Sequence, residues 1–312
     1  LAEAKVVVIP VPFEATTSYG RGTANAPQKV LETSLQVDLN DPQTGEPWKA
    51  GIAMLPIDPQ VQRWNTDASA DALPIIAAGG AHTPELEARL ARVNRIGDQL
   101  NTWVYHQARE WLLKGKIPGI LGGDHAVSFG AIKAAAEQWP GLGILHVDAH
   151  ADTRRAYEGF VHSHASIMAR VVKDMRIPSV QVGIRSISSD EASSLKDDLP
   201  TKIFWARDIV GRTDWIDEAV DSLTDNVYLT IDIDGLDPSI VPTTGTPEPG
   251  GLSWYETLSL IRKLAERKRV VGMDLVEYSY SENYDSPAFL CSKLVYKSLA
   301  YIFRDETPKL MN

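Results

Sequence analysis

The stretch His146-Val147-Asp148-Ala149-His150-Ala151-Asp152 decides how this chain reads. It ends the apolar run Gly143-Ile144-Leu145-His146-Val147 and sets metal-capable side chains at strict two-residue spacing. On an extended backbone, residues i, i+2 and i+4 point to one side, so Asp148, His150 and Asp152 can converge on one point. Two other apolar runs end in the same way. Tyr228-Leu229-Thr230-Ile231 leads into Asp232-Ile233-Asp234, and Ile117-Pro118-Gly119-Ile120-Leu121 leads into Gly122-Gly123-Asp124-His125. In open parallel sheets, ligands bind outside the carboxyl ends of the strands, which is where all three clusters fall.

Working outward, apolar runs of strand length alternate with helical patterns nearly throughout, the signature of an α/β fold with a parallel sheet covered on both faces. Strands are expected at 5–10, 117–121, 143–148, 179–184, 202–205, 226–232 and 269–274. Helices are expected at 27–34, 84–114, 126–138, 164–174, 190–195, 213–223, 254–265 and 287–303. The last has a start signal, Ser286 as N-cap with Pro287 in the first turn. Residues 36–83 differ. They hold Asp-Pro, Gly-Glu-Pro and Ala-Gly-Gly with weak periodicity, and read as an irregular excursion with up to two short strands. Nothing resembling a linker, internal repeat or low-complexity tract divides the sequence, so 1–312 is expected to be a single catalytic domain.

At 312 residues and 44% hydrophobic content the chain can bury a large α/β core. A formal net charge of −10, with both signs spread along the chain, argues against nucleic acid or an anionic membrane surface as partner and suits a cationic substrate. The lone cysteine, Cys291, excludes an intramolecular disulfide and fits a reducing compartment. Its neighbours Phe289, Leu290, Leu294 and Val295 place it in a helix core. No apolar run reaches the length of a membrane span, and Leu1-Ala2-Glu3-Ala4-Lys5 lacks the regions of a signal peptide, so a cytoplasmic location is expected.

Six residues are candidate metal ligands: His125, Asp148, His150, Asp152, Asp232 and Asp234. One tetrahedral zinc takes four ligands at most, so six suit two ions about 3.5–4 Å apart with bridging carboxylates. Four aspartates against two divalent cations leave the site near neutrality. A carboxylate-rich shell without thiolates favours two Mn²⁺, with Co²⁺ or Ni²⁺ as substitutes. A single Asp-x-Asp is usually a turn or cap, and only the coincidence of three clusters lifts the metal reading above it. His146, inside its strand, reads as a packed or supporting histidine. Asp124 reads as orienting a neighbour, and Asp237, before Pro238, as a turn residue. His82 and His106 lie far from the clusters and read as structural.

Gly-Gly-Asp-His at 122–125, Asp-Ala-His-Ala-Asp at 148–152, Ser-His-Ala-Ser at 163–166 and Asp-Ile-Asp-Gly-Leu-Asp-Pro-Ser at 232–239 together resemble the ureohydrolase family of arginases and agmatinases. So do Thr244-Gly245-Thr246-Pro247-Glu248-Pro249-Gly250-Gly251 and Asp274-Leu275-Val276-Glu277. The resemblance runs over almost the whole chain. It implies a three-layer α/β/α sandwich with a mostly parallel sheet and a binuclear manganese site that hydrolyses guanidino groups to urea and an amine. It further implies that His125, Asp148, Asp152 and Asp232 hold one ion, and that Asp148, His150, Asp232 and Asp234 hold the other. By the same resemblance His164 is the proton shuttle, Glu277 meets the guanidinium, and the assembly is a homotrimer or hexamer. Both roles make chemical sense: a leaving amine needs a proton near neutral pH, and a planar guanidinium matches a carboxylate. His162, two residues before His164, is a second candidate for proton handling or substrate contact.

Arginases carry an Asn shortly after Asp-x-His-x-Asp and a Ser-Gly-Asn stretch before the shuttle histidine. Here Thr153-Arg154-Arg155-Ala156-Tyr157-Glu158-Gly159-Phe160-Val161-His162-Ser163 stands instead, which makes arginine a poor substrate. The block 8–20 and Tyr157-Glu158-Gly159 resemble agmatinase-like members, so a small cationic guanidino compound is expected: agmatine, giving putrescine, or N1-aminopropylagmatine, giving spermidine. Glu158, or another acidic or aromatic residue of this loop, is the candidate for the distal ammonium. Arg154 and Arg155 keep a guanidino acid such as 4-guanidinobutyrate as the alternative, since Arg binds carboxylate well. A single-zinc deacetylase of the same broad fold would carry adjacent histidines, and this chain has no His-His pair. An inactive scaffold relative would tolerate lost ligands, whereas all six positions are intact.

Overall fold

In β1 (Val6–Val11) every residue is buried, and the side chains divide by parity. Val6 and Val8 enter one core, while Val7, Ile9 and Val11 enter another. β4 (Gly143–Val147) splits likewise, Ile144 to the second core and Leu145 and Val147 to the first. A strand buried on both faces reads as an unbroken apolar run, which is why these segments stand out in the sequence. The computed structural model describes residues 1–195, 199–282 and 284–305. Among them it sets eight strands in one sheet, ordered β2-β1-β3-β8-β7-β4-β5-β6. The other strands are β2 (Ile52–Met54), β3 (Ile117–Gly122), β5 (Ser179–Ile184), β6 (Thr201–Trp205), β7 (Asn226–Asp232) and β8 (Arg269–Val276). Every described pairing is parallel.

Helices cover both faces. They are α1 (Ala26–Ser34), α2 (Pro59–Ala77), α3 (Pro84–Leu113), α4 (Phe129–Gln138), α5 (Ser189–Ser194), α6 (Ala206–Ile209), α7 (Trp215–Asp221), α8 (Trp254–Arg267) and α9 (Ser286–Ile302). The first core takes residues from α1, α7, α8 and α9, and the second from α2, α3 and α4, which makes a three-layer α/β/α sandwich. Cys291 is fully buried in the first. Among the described residues, no helix is long and apolar enough to cross a membrane.

Three expectations need correction. Residues 36–83 are not irregular, because they contain β2 and the nineteen-residue α2. Asp58 caps α2 by accepting from the Gln60 N–H, with Pro59 in the first turn, but Pro74 inside the helix reads from sequence as a break. The last helix starts one residue early: Asp285 takes the N-cap position in a helical conformation, and Ser286 is already helical. The segment expected as one helix over 164–174 is a 3₁₀ turn, His164–Ser166, followed by a π-helical stretch, Ala169–Asp174. Such widened turns are rare and concentrate at functional sites.

The 36–83 segment is fixed to the C-terminal helix by a buried ion pair. Lys297 Nζ donates to Asp41 Oδ2 at 2.7 Å, with side-chain exposures of 8% and 2%. Burial works against the Asp41 charge, but Lys297 and the Gln43 amide outweigh it and hold the carboxyl below its usual range. Lys297→Met leaves Asp41 buried without its cation, so a loss of about 3–5 kcal/mol is expected in chemical denaturation of the metal-free protein. A carboxyl with a depressed folded value contributes stability above its unfolded pKa and loses it on acidification. The gap between wild type and variant should therefore shrink below about pH 4. An equal gap at every pH would show that packing, not the ion pair, is responsible.

Candidate metal centre

Four neighbouring strands, β3, β8, β7 and β4, end side by side and carry the expected residues at their carboxyl ends. His125 follows β3, Glu277 follows β8, Asp232 closes β7 with Asp234 just beyond, and Asp148 follows β4. The close approach behind them requires Gly123, where a Cβ would lie 1.9 Å from the Phe13 carbonyl oxygen.

The structure brings all six candidate ligands together. His125 Nδ1 lies 3.1 Å from Asp152 Oδ2, 3.2 Å from Asp148 Oδ2 and 3.5 Å from Asp232 Oδ2. His150 Nδ1 lies 3.0 Å from Asp234 Oδ2 and 3.6 Å from Asp148 Oδ1. Asp148 thus turns one oxygen toward each imidazole, as a bridging carboxylate does. Among the described residues, the groups of three or more His, Cys, Asp or Glu side chains that could share an ion both lie here.

The supporting bonds fix which nitrogen faces the carboxylates. Thr230 donates its hydroxyl proton to Asp274 Oδ1 at 2.8 Å, so its oxygen accepts from His125 Nε2 at 2.8 Å. Nδ1 of His125 is then the nitrogen turned to the carboxylates, and it has no hydrogen-bond partner among the described residues. Burial opposes charge on this ring, but Asp148, Asp152 and Asp232 outweigh it and raise the ring well above its usual range. A buried imidazole nitrogen facing three carboxylates without bonding to any of them fits a cation held between them. His146 differs. Gln181 Nε2 donates to its Nδ1 at 3.0 Å, which leaves Nε2–H to donate to Asp148 Oδ2 at 2.7 Å, so His146 orients a carboxylate.

Electrostatics point the same way. Burial, then the charges of Asp234 and Asp148, push the Asp232 carboxyl well above its usual range, and burial with Asp148 raises Asp152 too. Burial opposes charge on His150, yet Asp234 and Asp148 outweigh it and bring the ring up to about 12. Without cations the cluster can be accommodated only by holding protons. Asp152 (φ 52°) and Glu277 (φ 64°) also adopt left-handed backbone conformations, strain of the kind that surrounding structure maintains at functional sites.

Beside the cluster runs a narrow cleft lined by Thr17, Tyr19, His150, Arg154, Tyr157, His164, Glu191, Gly245 and Glu277. Glu277 Oε1 accepts from the His125 N–H at 2.8 Å, and burial, then Asp124, push its carboxyl well above the ordinary range. His164 Nδ1 sits 3.4 Å from Thr16 Oγ1 and 3.5 Å from Ser163 Oγ, with the Tyr157 ring edge-on at 5.9 Å. Burial, then the charges of His150 and Arg154, bring His164 down to about 4.

Of the other substrate candidates, Arg154 reaches the cleft but is engaged: its Nε donates to Glu191 Oε2 at 3.3 Å and its guanidinium stacks on Tyr157 at 4.6 Å. Arg155 is exposed and paired with Asp174. Glu158 and His162 do not line the cleft. His162 packs on Gly97 of α3, with Nε2 2.7 Å from Asp98 Oδ1, because the loop folds back through the Tyr157–Phe160 bridge. Asp124 Oδ2 accepts from Thr16 Oγ1 at 3.0 Å, and Asp237 closes a turn by accepting from the amides of Ser239, Gly250 and Gly251. His82 and His106 are exposed and remote.

Sequence reading missed Thr16, Glu191, Gln181, Thr230 and Asp274. Thr230 was reachable, since it shares a strand face with Asp232. Glu191 and Gln181 come from α5 and β5, with no local pattern to mark them. α2 has an indirect part: its Asn65 accepts from the Glu14 amide at 2.8 Å and its Ser69 from Arg21 at 2.9 Å, holding the 12–22 loop at the cleft rim.

Comparison with known proteins finds similarity over nearly the whole chain. A family model described as the arginase family matches residues 4–300. The chain is 34% identical to an N(1)-aminopropylagmatine ureohydrolase of Synechocystis sp., covering 99% of this chain and 92% of that protein. It is 31% identical to a protein of the same name from Thermus thermophilus, over 95% and 90%. Among solved structures, agmatine ureohydrolase of Thermoplasma volcanium superposes with a TM-score of 0.76 at 25% identity, covering 98% and 92% of the two chains.

Proposed function

Because this chain belongs to the arginase family, we propose that it is a manganese-dependent ureohydrolase acting on a cationic guanidino amine. Its substrate is agmatine or N1-aminopropylagmatine, and its products are urea with putrescine or spermidine. The observation that carries the reading is His125 Nδ1, turned toward Asp148, Asp152 and Asp232 while Thr230 and Asp274 hold the opposite nitrogen. In this reading His125, Asp148, Asp152 and Asp232 hold one ion, and Asp148, His150, Asp232 and Asp234 the other. Mn²⁺ suits the carboxylate-rich donor set, with Co²⁺ or Ni²⁺ as substitutes. When bound, the ions supply Lewis acidity and make a nucleophile of water at neutral pH.

The chain's own residues do the rest. Glu277 receives the planar guanidinium through paired, charge-assisted hydrogen bonds, with its carboxylate held in place by the His125 amide. Water adds to the guanidinium carbon, the C–N bond to the alkylamine breaks, and the leaving nitrogen takes up a proton. His164 carries that proton. At rest the ring is neutral, so it accepts and then passes the proton on. Arg154, already paired with Glu191 and stacked on Tyr157, is a poor receptor for a distal carboxylate, which favours amines over guanidino acids. We place the enzyme in the cytoplasm as a homotrimer or hexamer. The exposed apolar side chains of Leu35 and Tyr255 offer material for a subunit contact.

Urea release from protein loaded with Mn²⁺, Co²⁺ or Ni²⁺ tests the assignment. The panel holds agmatine, N1-aminopropylagmatine, 4-guanidinobutyrate, arginine and guanidine. Preference for the two amines is the expected result. Preference for 4-guanidinobutyrate would reassign Arg154 as a carboxylate receptor, and silence with every compound and metal would sink the ureohydrolase reading.

A further inference from the structure

Arg185, directly after β5, spends its guanidinium on main-chain carbonyls. Nη2 donates to Asp234 O at 2.6 Å, Glu248 O at 2.7 Å and Leu236 O at 3.4 Å. Nη1 donates to Gly183 O at 2.9 Å and Gly235 O at 3.4 Å, and Nε to Glu248 O at 3.2 Å. Its main-chain N–H donates to Ala149 O at 2.8 Å, as does the N–H of Ser186 at 3.0 Å. One residue therefore ties together the 148–152 segment, the 232–236 segment and the 248 loop.

Those tethers converge on one half of the metal centre. Ala149 lies between Asp148 and His150, and its own N–H donates to Asp234 Oδ1 at 2.9 Å. Asp234 is gripped from two sides, by Arg185 at its carbonyl and by Ala149 at its carboxylate. His125 and Asp152, on the other half, receive no bond from Arg185 among the described residues. A planar fork with five donors can serve divergent carbonyls together, whereas an ammonium on a flexible stem cannot hold the same set.

We propose that the Arg185 side chain is a positioning group that fixes Asp234, which serves the second ion alone, and so sets the affinity of that ion separately from the first. This rests on the two-ion reading above. The side chain touches neither substrate nor reacting atoms, so its effect is read in binding.

Mn²⁺ titration of the metal-free chain, followed by the electron paramagnetic resonance signal of free Mn²⁺, tests the proposal in wild type, Arg185→Lys and Arg185→Gln. Wild type should bind two ions. Both variants should keep one at its wild-type affinity and bind the other roughly 10–100-fold more weakly, the usual effect of removing an outer support. Arg185→Lys is the milder change and carries the test if Arg185→Gln does not fold. Two ions at wild-type affinity in Arg185→Lys would overturn the proposal, because charge alone would then suffice. Equal weakening of both ions would also overturn it, by showing a general structural role. Failure of wild type itself to bind a pair would remove the two-ion reading, and this assignment with it.

Discussion

Asp232→Ala is expected to lose nearly all turnover, by more than about a thousandfold. In the proposed ligand sets Asp232 serves both ions, so its loss touches two Lewis acids at once. Their charge stabilisation is worth several kcal/mol, and each 1.36 kcal/mol is tenfold in rate. Asp232 also has a local structural duty, because its Oδ1 accepts from the Asp234 N–H at 2.9 Å and caps the turn after β7. Asp232→Asn separates the two roles: an amide oxygen keeps the cap but carries no charge. Both variants should be folded, inactive and short of metal. Metal-dependent stabilisation gives a readout without substrate. Wild type gains about 2.7 kcal/mol at a hundredfold excess of ion over its Kd, and the variants should gain far less. Without metal Asp232→Asn should be at least as stable as wild type, since Asp232 is buried against Asp234 and Asp148 and the amide keeps the cap. A variant that holds two ions and turns over normally would refute the ligand assignment.

The sheet was legible because both of its faces are buried. Val6 to Val11 and Asn226 to Asp232 read as strands because water touches neither side, and His, Asp and Gly punctuate the runs where they leave the core. α2 was not legible. Its buried stripe, Val61, Ala68, Ala72 and Ile75, is sparse and half alanine, and Pro74 interrupts the pattern. At the site, short clusters at three strand ends brought out the six candidate ligands, because spacing within a strand end is a local property. Glu191, Gln181 and Arg185 are brought in by neighbouring strands and helices, and nothing in their local sequence records what they face. Glu158 and His162 were misjudged as cleft residues for a related reason. Their loop doubles back at Gly159 (φ 93°), and a turn of that kind redirects side chains in a way that spacing does not predict.

His164→Ala should separate the proton path from the metal centre. The ring bonds to neither ion's candidate ligands; its neighbours are Thr16, Ser163 and the edge of Tyr157. Removing it should therefore leave metal content at the wild-type level while kcat falls about 10²–10⁴-fold, the range for a lost general acid–base. KM should change little, because Glu277, on a different strand end, still holds the guanidinium. The cavity left beside Tyr157 opens onto the cleft, so added imidazole should restore part of the rate, more so at pH values where it is largely neutral and can accept a proton. Loss of an ion from His164→Ala would make the residue a ligand instead. Full turnover with both ions in place would move the proton path elsewhere, with Asp152 the next group to test, since it borders the same cleft and burial already holds its carboxyl above the usual range.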